Sequence, residues 1–499
     1  MWNISANHIY TSHPARSQQT PKNLGQSETM NQQPIKLVQP NPRVKLGDRK
    51  LIRLKRAQDV IEAIAWASVV AVAVFFLIDG GIKGVTDVPT ALNAVSRVTA
   101  LIGTDLLLIH MLLVARVPWI DKFYGHDKAT LAHKKLGKPV LYFIVAHFLA
   151  SLIEFSITNS QNVIATLMWF ITSVPDMLTA VAALALMILV VVTSLNFARR
   201  KMSYEAWFIV HLMSYAAVLL AVPHIFSTGS DIAGKPASTI FWVTLYLFVA
   251  GNIIWYRVTK PIIRMLSHSM KIDQVVRESS DTTSLYLRGK NIHKLGGAAG
   301  QFYFLRVLTP KRWFKAHPFS LSAAPNNHFM RFTIGNRGDD TSFLQNIKPG
   351  TRVAVEGPFG VFTEERRTKE KVVLIASGIG IPPIRALAES MAARPGDITI
   401  IYRVRNEEDA SLLNEVREIA RIRGFRLYVL PGPRAGLKSW MNNDGTNNPD
   451  LARLAIMAPW ISESDVYICG PQIWTELVVS SVTRAGVPAD RIHAEEFAW

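Results

Sequence analysis

The chain has one cysteine, Cys469, which excludes an intrachain disulfide and any metal site built from several cysteines. It also lacks a C-x-x-C-H stretch, so haem attached through thioether bonds is excluded. Nothing matches D-x-[DN]-x-[DN]-G-x5-E, the loop of a calcium-binding EF-hand. Acidic residues are scarce, 37 Asp and Glu against 55 Lys and Arg, for a formal net charge of +18. The cations sit beside apolar segments: Arg53, Lys55 and Arg56; Lys122 to Lys138; Arg199, Arg200 and Lys201; Arg257, Lys260 and Arg264. That is the positive-inside pattern of a membrane protein, and it argues against a nucleic-acid partner. No apolar run lies close to Met1, so the first membrane helix, rather than a cleaved leader, is expected to be the targeting signal. Residues 1–46 are polar, rich in Asn, Gln, Ser and Pro, and are expected to form a disordered tail.

Six segments approach the length needed to cross about 30 Å of hydrocarbon: residues 60–78, 98–117, 139–156, 177–197, 207–226 and 240–256. The basic clusters precede the first and follow the second, fourth and sixth. This places both termini in the cytoplasm of a multi-pass protein, with a bacterial inner membrane expected. Residues 163–174 are apolar but too short to cross, and are read as an interfacial or re-entrant piece.

Four histidines stand in the third and fifth spans, His133 and His147 on one, His211 and His224 on the other. At about 1.5 Å per residue, each helix holds its two imidazoles roughly 20 Å apart. Two such helices can clamp two haems, one near each face, with a histidine on each side of each iron. Ionisable residues inside a bilayer are expensive, and two matched pairs are hard to explain as packing. A spacing of fourteen puts His133 and His147 on one helix face, whereas thirteen makes His211 and His224 diverge unless Pro223 distorts the last turn. His110 has no partner at matching depth and reads as a packing residue. Asp105 is an intramembrane carboxyl that reads equally as a polar contact or a functional group.

Past Arg264 the chain changes character. Short alternating runs with Gly, Asn and Pro turns argue for a small β-barrel. It carries His317-Pro318-Phe319-Ser320 and then Gly338-Asp-Asp-Thr341. Phe319 can wall a flavin, Ser320 can hydrogen-bond near its N5, and backbone N–H groups from Gly338 onward can hold its phosphates. From about Glu370 strands alternate with helices, the pattern of an open parallel sheet. The strand 372–376 runs into Ser377-Gly378-Ile-Gly380-Ile-Pro382-Pro383 and a helix over 384–393, glycines that allow a phosphate close to the backbone. Arg403 and Arg405, after the strand ending at Tyr402, favour NADPH over NADH, because a guanidinium binds phosphate bidentately.

Ala132-His-Lys-Lys-Leu-Gly137 with His147, and Tyr204-Glu-Ala-Trp207 with His211 and His224, resemble the ferric reductase-type transmembrane domain of the NADPH oxidases and eukaryotic ferric reductases. The following halves resemble the flavin barrel and nicotinamide lobe of the ferredoxin reductase superfamily. The resemblance covers about residues 55–499. It implies a di-haem domain over 47–262, an FAD-binding barrel over 263–366 and a Rossmann-like NAD(P) domain over 367–499. It further implies two b-type haems on His133 with His211 and His147 with His224, and FAD with His317 near its pyrophosphate. NAD(P)H is implied with Gly378, Gly380 and Pro382 at its diphosphate and Cys469 and Gly470 near the nicotinamide. A terminal aromatic stacks on the flavin in such proteins; Phe497 fills that place by motif, and Trp499 is the alternative. The oxygen-reducing members place an Arg at the outer end of the second span, matched by Arg97, and a His where this chain has Ser151. The implied activity carries electrons from cytoplasmic NAD(P)H through FAD and the haems to an outer acceptor, oxygen giving superoxide in the first reading. A ferric-chelate or other outer-face reductase and an electron-transfer subunit feeding a partner are the alternatives.

Overall fold

The computed structural model describes residues 46–446 and 448–496. The polar tail over 1–45 and the terminal aromatics Phe497 and Trp499 lie outside the described residues. The first half is helical: α1 (Asp48–Ile78), α2 (Val88–Leu113), the short α3 (Pro118–Phe123), α4 (His126–Thr158), α5 (Val163–Ser173), α6 (Met177–Ser194), the short α7 (Asn196–Arg199), α8 (Tyr204–Ser227) and α9 (Pro236–Ile253). A π-helical turn, Ile254–Thr259, carries α9 into α10 (Lys260–His268) without a break. Six of these are long and apolar enough to cross a membrane, and α5, with 11 residues, is not.

The helices start where local chemistry satisfies their first N–H groups. Asp87 and Thr90 form a reciprocal capping box at α2, Asn162 caps α5, and Ser203 caps α8. Most spans begin earlier than hydropathy suggests, because these caps and the basic turns lie in the interfacial layer that an apolar window leaves out. So α4 begins at His126, and Pro139, where the apolar run starts, lies inside it. Helices α2 and α4 approach closely at Gly103, where a β-carbon would lie 3.0 Å from that of Phe143.

The middle segment forms two antiparallel three-stranded sheets. In one, β2 (Thr282–Arg288) lies between β1 (Lys271–Arg277) and β5 (Met330–Gly335); in the other, β3 (Phe302–Val307) lies between β4 (His317–Ser320) and β6 (Val353–Phe359). The β3–β4 register sets Phe302 against Ser320 and Leu305 against His317, so the whole His-Pro-Phe-Ser stretch is held on a strand. Helix α11 (Asp339–Gln345) follows β5.

The last segment is a parallel sheet in the order β11-β10-β7-β8-β9, from β7 (Val372–Ser377), β8 (Ile398–Arg403), β9 (Arg426–Leu430), β10 (Asp465–Gly470) and β11 (Ile492–Glu496). The chain runs outward from β7 to β9 on one side and returns to β10 and β11 on the other. The direction therefore reverses between β7 and β10, which is where open α/β sheets bind ligands. Helices α12 (Ile381–Ser390), α13 (Leu413–Arg423), α14 (Asp450–Met457) and α15 (Gln472–Arg484) complete it. Helix α12 starts three residues before the expected 384, because proline is well suited to a first helical turn and Pro382 and Pro383 stand there.

A buried ion network joins the barrel to this lobe. Arg331 of β5, 4% exposed, donates to both carboxylate oxygens of Glu415 at 2.7 and 3.0 Å, and Arg385 reaches Glu415 at 2.8 Å. Burial works to raise the Glu415 carboxyl, and the two guanidiniums outweigh it, holding it below its ordinary value. A depressed carboxyl contributes stability above its unfolded pKa, about 4.3, and the contribution is lost as pH falls through the folded value. Glu415→Gln strands the buried Arg331, while Arg385 keeps its pair with Glu389, so it is expected to cost about 3–5 kcal/mol, read as a lower unfolding midpoint at pH 7. The difference from the parent should shrink below about pH 4.

Candidate electron-transfer site

The four span histidines meet in pairs. His133 faces His211 with ring centroids 6.0 Å apart, and His147 faces His224 at 6.4 Å. The rings meet in pairs despite the divergence that thirteen-residue spacing creates on an ideal helix; Pro223 lies inside α8 one residue before His224. Each ring is oriented through Nδ1. His133 Nδ1 bonds the carbonyl oxygen of His110 at 2.9 Å; His147 Nδ1 bonds Ser96, at the hydroxyl (2.9 Å) and the carbonyl (3.0 Å). His211 Nδ1 meets the Ser194 hydroxyl at 3.3 Å, and His224 Nδ1 the Thr228 hydroxyl at 2.8 Å. No hydrogen bond among the described residues uses Nε2 of any of the four. A metal-bound imidazole is held in this way, with its second nitrogen on a carbonyl or hydroxyl. Two metal–nitrogen bonds of about 2 Å plus half a ring on each side span roughly 6 Å, so an iron fits between each pair.

Sequence reasoning missed the groups that set these rings. Ser96 and Ser194 carry no motif, and only the packing of α2 on α4 and of α6 on α8 makes them partners; Thr228, at the end of α8, is one turn beyond His224. His110, read as packing, lies face to face with His133, centroids 3.7 Å apart and planes 5° apart, while lending it the carbonyl. Trp207 stacks on His211 at 4.9 Å and donates its indole N–H to Ser194. Asp105 is a polar contact, fully buried, accepting from Ser68 at 2.6 Å.

A cavity of about 500 Å³ opens beside His147 and His224, lined by Arg97 and Ser151 among others. Arg97 is not a free cation there. Its guanidinium grips Asp231 with two hydrogen bonds, and Lys235 also reaches Asp231, at 3.3 Å. Burial pushes the Asp231 carboxyl up, but Arg97 and Lys235 overcome it and keep it ionised.

At the basic end of the bundle a second cavity, about 370 Å³, gathers His317, Pro318, Phe319, Ser320, Gly338, Thr341 and Pro382 with Glu205 of α8. Segments distant in sequence thus converge on one space. The Ser320 hydroxyl is buried without a hydrogen-bond partner, as a group awaiting a ligand atom would be. Burial, then Lys315 and Arg312, pushes the His317 imidazole below its ordinary value, so it is neutral at pH 7. The Thr341 hydroxyl closes its own loop, accepting from Arg337 N and donating to Gly338 O. Asp340, in the first turn of α11, is neutralised by Arg312 and Lys315.

A third cavity, about 600 Å³, lies at the carboxyl ends of β7 and β8 and contains Gly378, Arg403, Arg405 and, missed in the sequence, Arg337 and Arg434. A β-carbon on Gly380 would collide with the carbonyl of Cys469, so this glycine lets β7 and β10 close on each other. Cys469 is fully buried in the sheet core, and burial pushes its thiol up, so its side chain is not presented to the cavity. Gly470 follows it at the strand end. The Arg403 guanidinium, which sequence reasoning assigned to a 2′-phosphate, is instead turned inward onto the carbonyls of Val404, Leu430 and Gly432. Arg337, Arg405 and Arg434 are the exposed cations of this cavity, and Arg337 lies 3.9 Å from Asp281.

Three family descriptions match successive segments: a ferric reductase-like transmembrane component over 99–222, an FAD-binding domain over 267–363 and an oxidoreductase NAD-binding domain over 374–479. The ferredoxin reductase component of a 3-ketosteroid-9-alpha-monooxygenase from Mycolicibacterium smegmatis is 28% identical over 46% of this chain and 65% of its own length. Ferric reduction oxidase 7 of Arabidopsis thaliana is 24% identical over 58% of this chain and 40% of its own. The chain thus covers less than two thirds of each of these relatives. The FAD/NAD-binding domain of a nitric oxide dioxygenase from Vibrio cholerae superposes with a TM-score of 0.36 at 23% identity, over 46% of this chain and 99% of that one.

If each facing pair holds one haem, replacing either of its members removes that haem. Alanine at His133, His147, His211 or His224 is expected to halve haem per chain by pyridine haemochrome. Full content in all four variants would refute the pairing.

Proposed function

We propose that this chain, which matches a ferric reductase-like transmembrane component followed by FAD- and NAD-binding domains, carries electrons from NAD(P)H across the membrane to an acceptor at the far face, with oxygen as that acceptor. The observation that carries the reading is the two facing imidazole pairs, each at iron-spanning distance with every Nδ1 already engaged. When bound, FAD supplies the exchange between a hydride and single electrons, and b-type haem supplies one-electron transfer through an apolar layer.

The chain's own groups do the positioning. Phe319 and Ser320 would hold the flavin ring, with His317 and the Gly338–Thr341 loop toward its phosphates. Gly378, Gly380 and Pro382 would let the nicotinamide coenzyme approach at the sheet's reversal point. Phe497 or Trp499 would cover the flavin when the coenzyme is absent. His133 and His211 would ligate the haem nearer the flavin, His147 and His224 the farther one. On the topology proposed from the basic clusters, the soluble half is cytoplasmic and Arg97 lies at the outer end. There Arg97, held by Asp231, would direct guanidinium N–H groups to where a superoxide anion would form, in a water-poor cavity.

Reduction of a ferric chelate is the second reading. Its support is the Arg97–Asp231 pair, which leaves little net charge for an anion, and the absence of a histidine at Ser151. Purified protein with NADPH and FAD separates the two. Superoxide scavenged by dismutase supports the first; oxidation that needs a ferric chelate supports the second. Arg97→Met is expected to keep both haems and flavin reduction while lowering superoxide output by at least about tenfold. Unchanged output would remove Arg97 from the acceptor site.

For the coenzyme, the exposed Arg405 and Arg434 favour NADPH. Arg405→Gln is expected to raise KM for NADPH by roughly tenfold and leave NADH unaffected, as loss of one charge-assisted phosphate contact requires. Equal kcat/KM for the two coenzymes in the parent would reject the preference.

A further inference from the structure

A crevice of about 320 Å³ separates the basic end of the helix bundle from the barrel, and none of the groups assigned above lines it. Its walls carry five cations: Arg116 and Lys122 from the α2–α4 connection, Lys260 and Arg264 from α10, and Arg366 from the soluble half. Three carboxyl groups face them. Glu356 is paired with Arg116, Glu365 is exposed, and Asp121 is buried. Burial above all pushes the Asp121 carboxyl up to about 7, so it carries only about half of a full negative charge at neutral pH. The side chains of Lys260 and Arg264 make no hydrogen bond or ion pair among the described residues; that of Lys260 overlies the Tyr256 ring, at 5.2 Å. Arg366 donates to the backbone of Lys122 and Phe123, and Arg116, nine-tenths buried, has an unpartnered Nε. Half-buried cations left without counter-charges call for an anion.

Position narrows what the anion is. The last span, Pro236–His268, has 33 residues, roughly 50 Å of helix against about 30 Å of hydrocarbon. Its final turns therefore emerge at the headgroup layer, with Tyr256 at the interface and Lys260 and Arg264 one and two turns beyond. Ile262 and Ile263, on the same turns, are about half exposed. Apolar side chains directly beside unpaired cations suit a molecule that is phosphate at one end and hydrocarbon at the other.

We propose that this crevice binds the phosphodiester headgroup of an anionic phospholipid, which bridges α10 and the α2–α4 connection to Arg366 and so ties the soluble half to the membrane half. Full-length protein with its cofactors, in neutral detergent, is titrated with phosphatidylglycerol, phosphatidylcholine or inorganic phosphate. The readouts are unfolding temperature and lipid retained per chain by mass spectrometry. Phosphatidylglycerol is expected to raise the unfolding temperature by several degrees and to remain at about one per chain, with phosphatidylcholine inert. The double variant K260Q/R264Q should bind it roughly 30-fold more weakly, and Lys122→Gln about fivefold, following about 1 kcal/mol per cation. Equal effects of the two lipids, or an unchanged affinity in both variants, would overturn the proposal. So would a full shift from inorganic phosphate alone, which would make the ligand a free anion. The comparison of lipids on the parent protein decides the matter even if the double variant does not fold.

Discussion

An imidazole in a layer without water must have both ring nitrogens accounted for, since an unpaired polar group there is costly. That constraint organises the bundle. Each histidine of the two facing pairs has Nδ1 fixed by a carbonyl or hydroxyl. The partners come from α2 for α4, from α6 for α8 and from α8 itself, so the packing of α2 on α4 and of α6 on α8 is tied to ring orientation. What remains is two pairs of rings, one near each end of the bundle, whose Nε2 atoms carry no hydrogen bond among the described residues. A displaced helix would lose the ring bond and the facing geometry together.

The same logic of buried polar groups extends into the soluble half. The Ser320 hydroxyl is left unpaired in a cavity that also receives Glu205 from α8, so the barrel's open polar atom lies close to the start of a membrane helix. Lys315 fastens this junction by reaching Glu205 at 2.5 Å. The two soluble lobes are in turn locked by Arg331, Arg385 and Glu415. Short, ordered contacts from NAD lobe to barrel to bundle are what a chain of electron carriers requires, because each carrier must stay close to the next.

Charge at the far end is arranged differently. Arg97 is neutralised by Asp231 and steadied against the Phe76 ring, whose centroid lies 5.3 Å away. A buried pair of this kind orients its arginine more than it charges the cavity, because removal of either partner strands the other. The cavity beside His147 and His224 therefore presents a directed N–H surface instead of an open field.

Periodicity, hydropathy and motif order were enough to read six spans, a barrel followed by a parallel sheet, and the four histidines. These are local properties: the length of an apolar run, the alternation of a strand, the residues between two imidazoles. The His-Pro-Phe-Ser stretch and the two glycines after β7 were legible for the same reason. The tertiary structure decided everything that depends on what lies across a gap. Spacing made His224 diverge from His211 on an ideal helix, yet the fold sets its ring 6.4 Å from that of His147. Arg403 looked available at a strand end until its guanidinium turned onto three carbonyls, and Arg97 looked free until Asp231, 134 residues away, closed on it. A sequence states which groups carry charge or a lone pair; which of them is already spent on another is settled only when the chain folds and distant backbone and side chains compete for the same hydrogen bonds.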